Sequence, residues 1–90
     1  MDVVGDEERD DAANMLTAQQ LGCIKEHMGD ILSSREMLII CERFGLFGKS
    51  EKTQNEIAGE LGISRSYVSR IERKALDKLH TLLNNYGLLE

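Results

Sequence analysis

The chain has ninety residues, 41% of them hydrophobic and 30% charged, with two Phe, two Tyr and no Trp, which leaves room for one modest aliphatic core and excludes a multidomain enzyme. No apolar run approaches the roughly 20 residues that cross a bilayer, and the start, MDVVGDEERDD, is acidic where a signal peptide is basic, so a cytoplasmic protein without membrane contact is expected. The net charge of −5 lies in residues 1 to 11, where six acids (Asp2, Asp6, Glu7, Glu8, Asp10, Asp11) face Arg9 alone, and the remaining ten acids and ten bases cancel.

Residues 1 to 13 lack apolar periodicity and read as an acidic flexible tail or linker ahead of a helical domain, 14 to 90. From Leu16, the residues Leu21, Ile24, Met28 and Ile31 recur at helical spacing, and Thr17 is placed to cap a helix running to about Ile31, although Gly22 and Gly29 weaken it. Ser33-Ser34-Arg35-Glu36 has the spacing of a capping box, so a second helix is expected from there until Gly45. The following Gly45 to Ser50 is a loop. Its Gly48-Lys49-Ser50 does not make a phosphate loop, because Arg43 stands where that motif requires Gly. Thr53-Gln54-Asn55-Glu56 repeats the capping box and opens a short helix that Gly62 closes. Ser64 then caps a last helix, from about Arg65 to Asn84, with Val68, Ile71, Ala75, Leu76 and Leu79 turned inward. No strand pattern competes, so the fold is all-α: four to five helices with a helix-turn-helix over about 53 to 80 and a long C-terminal recognition helix.

Cys23 and Cys41 sit among apolar helical neighbours and read as buried thiols, and His27 and His80 have no partners at zinc spacing, so no metal or other cofactor is expected. The informative segment is the tight turn Gly62-Ile63-Ser64 between two helices, with small Ala58 facing the crossing. At about 100° per residue the last helix turns Ser66, Ser69, Arg70 and Arg73 away from its apolar stripe. Its first three turns carry Arg65, Ser66, Tyr67, Ser69, Arg70 and Arg73, with Glu72 the only acid. Arg pairs bidentately with guanine, Ser donates to phosphate or a base, and Tyr covers a thymine methyl. The N-terminal end of a recognition helix is the part that enters the major groove, so this composition points to DNA.

The run LSSREMLIICERFGLFGKSEKTQNEIAGELGISRSYVSRIERKALDKL, residues 32 to 79, resembles region 4 of the sigma-70 family of RNA polymerase initiation factors, and its second half looks most like the sporulation factors, sigma-K above sigma-E. Residues 14 to 31 look like the first helix of the same region. The resemblance implies recognition of the promoter minus-35 element in transcription initiation, with Arg65, Ser66, Tyr67, Ser69 and Arg70 reading bases. It implies phosphate contacts by Thr53 and Gln54, at a helix start that also favours anions, and by Arg73, Lys74 and Lys78, a stretch that also meets activators. It assigns Leu38, Ile39, Phe44 and Leu46 to the flap of the polymerase β subunit, and leaves room for activators or an anti-sigma factor as partners. Asn55 and Gly59 stand where bases are expected in sigma-K-like sequences, and Asp77 adds an acid to the last helix, departures that lower intrinsic DNA affinity. Ninety residues leave no room for the domain that captures the minus-10 element, so the chain is expected to be an excised domain or a stand-alone region 4 protein.

Other readings use the same residues differently. An interaction module would bind the flap or an activator without reading DNA. A dimeric repressor would read a palindrome, but the segment from His80 to Leu89 is better suited to covering the first helix, so a monomer is expected. Enzymatic activity is not expected, since His27, Glu26 and Asp30 read as a solvated helix face. The acidic tail is a candidate for folding over Arg65, Arg70 and Arg73 as a tethered competitor.

Overall fold

A computed structural model describes residues 16–89, which form four helices and no strand: α1 (Ala18–Ile31), α2 (Ser34–Phe44), α3 (Gln54–Leu61) and α4 (Arg65–Asn85). The acidic tail and its suggested fold-back lie outside the described residues. Each helix begins where its cap falls. Ser33 and Thr53 close full capping boxes with Glu36 and Glu56, Thr17 closes one with Gln20, and Ser64 accepts the N–H of Tyr67 at 3.0 Å. Gly45 and Gly62 end α2 and α3 in the left-handed conformation, at φ 65° and 70°. The loop after α2 also holds Phe47 at φ 55°, a backbone region that an aromatic residue enters only under strain, and leaves its side chain 54% exposed.

Two apolar clusters make the core, and α2 separates them. Ile39 faces Ile57, Ala58 and Val68 beneath the helix-turn-helix, while its neighbour Ile40 joins Ile24, Met28, Ala75 and Leu79 in the larger cluster. The small Ala58, almost fully buried, lets α3 approach α4 closely. With 21 residues, α4 is about 31 Å long and contributes to both clusters, so it fixes the helix-turn-helix relative to α1 and α2. Despite its two glycines α1 remains helical, because Ile24 and Met28 are buried on its inner face. The C-terminal segment covers α1 as expected: Leu88 and Leu89 pack on the larger cluster, and the Gln20 amide donates to the Leu88 carbonyl at 2.7 Å. Cys41 is buried, Cys23 half-buried, and both are free thiols; burial pushes the Cys41 thiol above its usual range. His27 packs its ring on Tyr86, with centroids 4.9 Å apart. Among the described residues no helix is long and apolar enough to cross a membrane, and no group of three His, Cys, Asp or Glu is placed to hold a metal ion.

Candidate nucleic-acid interface

The outward face of α4 is set by what its inward face must bury. Val68, Ala75, Leu79 and Leu82 are buried, which by helical periodicity turns Ser66, Arg70 and Arg73 outward, and all three are exposed. Tyr67 is 45% exposed and lies against Arg70, whose guanidinium carbon is 5.9 Å from the ring centroid. That contact is a cation–π arrangement that gives Arg70 a preferred direction before any ligand arrives. Ser69 and Arg65 are half-buried on the flanks of this face, and Lys74 is exposed beside Arg73.

Glu72, the one acid in the first three turns of α4, is turned inward. It is 6% exposed, and its Oε1 accepts from Arg43 Nε at 2.9 Å and from the Gln54 amide at 2.6 Å. The sequence carried a signal for this, since Glu72 follows Val68 by four residues and precedes Ala75 by three, the spacing of the apolar stripe. Its charge is answered by Arg43, itself 8% exposed, which also donates to the Lys52 carbonyl at 3.2 Å. With Glu72 turned inward, the exposed side of α4 from Arg65 to Lys74 displays no acid. Asp77, further along, is exposed.

The first turn of α3 meets the first turn of α4 through Gln54, whose side-chain oxygen accepts from Arg65 Nη1 at 2.7 Å. The side chain of Gln54 is therefore committed within the protein. Thr53 is exposed; its hydroxyl oxygen accepts the Glu56 N–H at 3.1 Å and keeps its own O–H to donate, beside the first-turn N–H groups that a helix leaves without internal partners. Lys78 does not join the outward face. It donates to Glu36 at 2.8 Å on the side of α4 that meets α2, and this hydrogen bond holds the buried Glu36 carboxyl below its usual range against the opposing effect of burial. Lys52 is engaged with Glu60 at 2.7 Å, a pair that lowers the Glu60 carboxyl and raises the Lys52 ammonium.

The apolar residues expected at a protein partner divide. Ile39 is fully buried under the helix-turn-helix, so it has no surface to offer, and Leu38 is half-buried. Phe44 and Leu46 instead line a groove of about 330 Å³, together with Leu21, Ile40 and Leu76, with Glu51 and His80 as its polar members. Sequence reasoning missed this groove because its wall is assembled from α1, α2 and α4 and from Leu89 at the chain end.

Residues 30–81 match the family model described as Sigma-70, region 4. The chain is 51% identical over 79 residues to the RNA polymerase sigma-K factor of Bacillus subtilis, a match covering 88% of this chain and 26% of the relative. It is 49% identical to the RNA polymerase sigma-28 factor of Bacillus thuringiensis, over 88% of this chain and 33% of the relative, and 47% identical to the RNA polymerase sigma-E factor of Clostridium acetobutylicum, over 59% and 23%. The chain thus spans about a quarter to a third of the length of these curated relatives. No solved structure matches it. A helix-turn-helix whose long second helix shows an acid-free row of Arg and Ser, and a family match over residues 30–81 that takes in the turn and most of that helix, place this chain in the sigma-70 family, as its region 4.

Proposed function

We propose that the chain recognises the minus-35 element of promoters for RNA polymerase, with the first half of α4 in the major groove and Arg65, Ser66, Tyr67, Ser69 and Arg70 directed at base edges. The observation that carries this reading is the outward row of Ser66, Arg70 and Arg73 from which Glu72 has been withdrawn into the core. A guanidinium on such a row meets guanine O6 and N7 bidentately, and the low negative potential of an acid-free face favours approach to phosphate. Arg73 and Lys74 hold phosphates on the flank, and the Thr53 hydroxyl with the α3 N-terminus holds another. The chemistry of initiation belongs to the polymerase, and this domain supplies position.

The test is fluorescence-anisotropy titration of a duplex bearing a sporulation-type minus-35 element against a scrambled duplex, at low and moderate salt. Arg70→Ala should cost about tenfold or more on the minus-35 duplex and little on the scrambled one. Arg73→Ala should weaken both alike and reduce the salt slope by about one. Equal affinity of the unsubstituted chain for both duplexes would sink the reading.

The groove lined by Phe44 and Leu46 supports a second contact, with an apolar segment of the polymerase β flap. The α4 residues that line it, Leu76, Leu79, His80 and Leu83, lie beyond the turns proposed to meet DNA, so Phe44→Asp should weaken binding to a flap fragment and leave the duplex titration unchanged. Flap binding by a chain that shows no sequence preference would favour the interaction-module reading instead.

A further inference from the structure

The first turns of α3 and α4 are joined by a hydrogen-bonded chain that the reading above does not use. It runs from Arg43 Nε to Glu72 Oε1 at 2.9 Å, from the Gln54 amide nitrogen to the same Oε1 at 2.6 Å, and from Arg65 Nη1 to the Gln54 amide oxygen at 2.7 Å. Its members come from α2, α3 and α4, and its inner end is buried, with Arg43 and Glu72 at 8% and 6% exposure.

We propose that Gln54 is a positioning residue for Arg65, anchored on the buried Arg43–Glu72 pair, and that this chain sets discrimination at the base pair Arg65 meets; the proposal rests on the reading of α4 as the groove-reading helix. The side-chain chemistry allows one direction along the chain. A carboxylate only accepts and a guanidinium only donates, so the Gln54 amide must present its NH2 to Glu72 and its oxygen to Arg65. Its orientation is fixed by its partners. The guanidinium is a rigid planar fork, so holding one N–H restricts where the remaining donors can point, and bidentate recognition of a base depends on their direction. Fixing a long side chain before DNA arrives also removes rotamer freedom that would otherwise be lost on binding. A glutamine is the residue type suited to this place, because a carboxylate there would repel Glu72 and an apolar side chain would satisfy neither neighbour. A phosphate contact by the Gln54 side chain would require breaking the chain at one of its two bonds.

The test compares Gln54→Ala, Arg65→Ala and the double variant on a duplex enriched by the unsubstituted chain from a randomised pool, and on each single base-pair change of that duplex. Gln54→Ala should lose about tenfold discrimination at the base pair whose identity Arg65→Ala also erases, with the salt slope unchanged, and the double variant should be no worse than Arg65→Ala. Uniform weakening on every duplex with a shallower salt slope, the signature of a lost phosphate contact, would overturn the positioning role, as would additive effects in the double variant. A readout without DNA is the set of Arg65 Nη–Hη resonances by 15N NMR, since Nη1 is the nitrogen that donates to Gln54. The Nη1 signal should be resolved and slow to exchange in the unsubstituted chain and should average with the other Nη protons in Gln54→Ala; an unaffected spectrum refutes the chain's hold on Arg65. A pool that yields no enriched sequence would overturn the DNA-reading function and this role together, whereas enrichment followed by uniform loss overturns the positioning alone.

Discussion

Replacing Arg43 by Met would leave the Glu72 carboxylate in the core with the Gln54 amide as its remaining partner. Both members of the pair are nearly sealed from solvent, at 8% and 6% exposure, and meet at 2.9 Å. Water therefore cannot solvate the stranded charge without opening the contact between α2 and α4. Removing one member of a buried pair costs about 3–5 kcal/mol, against a total stability of roughly 5–15 kcal/mol for a domain. At about 4–8 °C per kcal/mol for a domain of this size, Arg43→Met should melt at least about 12 °C lower. Urea denaturation followed by far-ultraviolet circular dichroism should show the same loss as a lower midpoint with an unchanged slope. The double variant Arg43→Met/Glu72→Met removes both charges and should recover more than half of the loss, because an apolar pair of similar volume has no desolvation cost to meet. A single variant that loses less than about 1 kcal/mol, or a double variant that loses as much as the sum of both singles, would refute the view that charge burial governs this site.

Gly45→Ala should destabilise the domain by about 1–2 kcal/mol, since the residue sits at φ 65° and an added Cβ would meet the Lys49 carbonyl oxygen at 3.1 Å; a thermal melt within 2 °C of the unsubstituted chain would contradict it, at about 4–8 °C per kcal/mol. Phe47→Gly should act the other way, raising stability by roughly 1 kcal/mol by relieving a residue at φ 55° whose side chain is mostly in solvent, and a lowered denaturation midpoint would show that the ring makes contacts worth more than the strain. The Glu36 carboxyl is held below its ordinary 4.5 mainly by the Lys78 hydrogen bond, so its contribution is present above that value and is lost as pH falls through the lowered one. Lys78→Met should therefore lower the melting temperature at neutral pH and flatten the decline on acidification; melts that fall as steeply in both proteins would remove Glu36 from the acid limb.

The helix boundaries were legible in the sequence because they are local. A Ser or Thr just before a helix, or a Gly after an apolar run, acts on backbone groups within one turn, and Thr17, Ser33, Thr53, Ser64, Gly45 and Gly62 all fall where they were expected. The outward row of Ser66, Arg70 and Arg73 was legible for a related reason: one long helix with a clear apolar stripe has a single way to lie on a core. What the sequence left undecided were pairings between residues far apart in the chain. Glu72 was counted as the one acid among the first three turns of the last helix, with no partner named for it, and Arg43, twenty-nine positions earlier, meets it in the core. Lys78 looked like one more phosphate ligand until Glu36 took it, and Ile39 looked available to a partner until α3 and α4 closed over it. Local capping and periodicity determined which residues face outward, and tertiary packing alone decided which charges remain there, because a charge that packing carries into the core must meet an opposite one from another element or be left stranded.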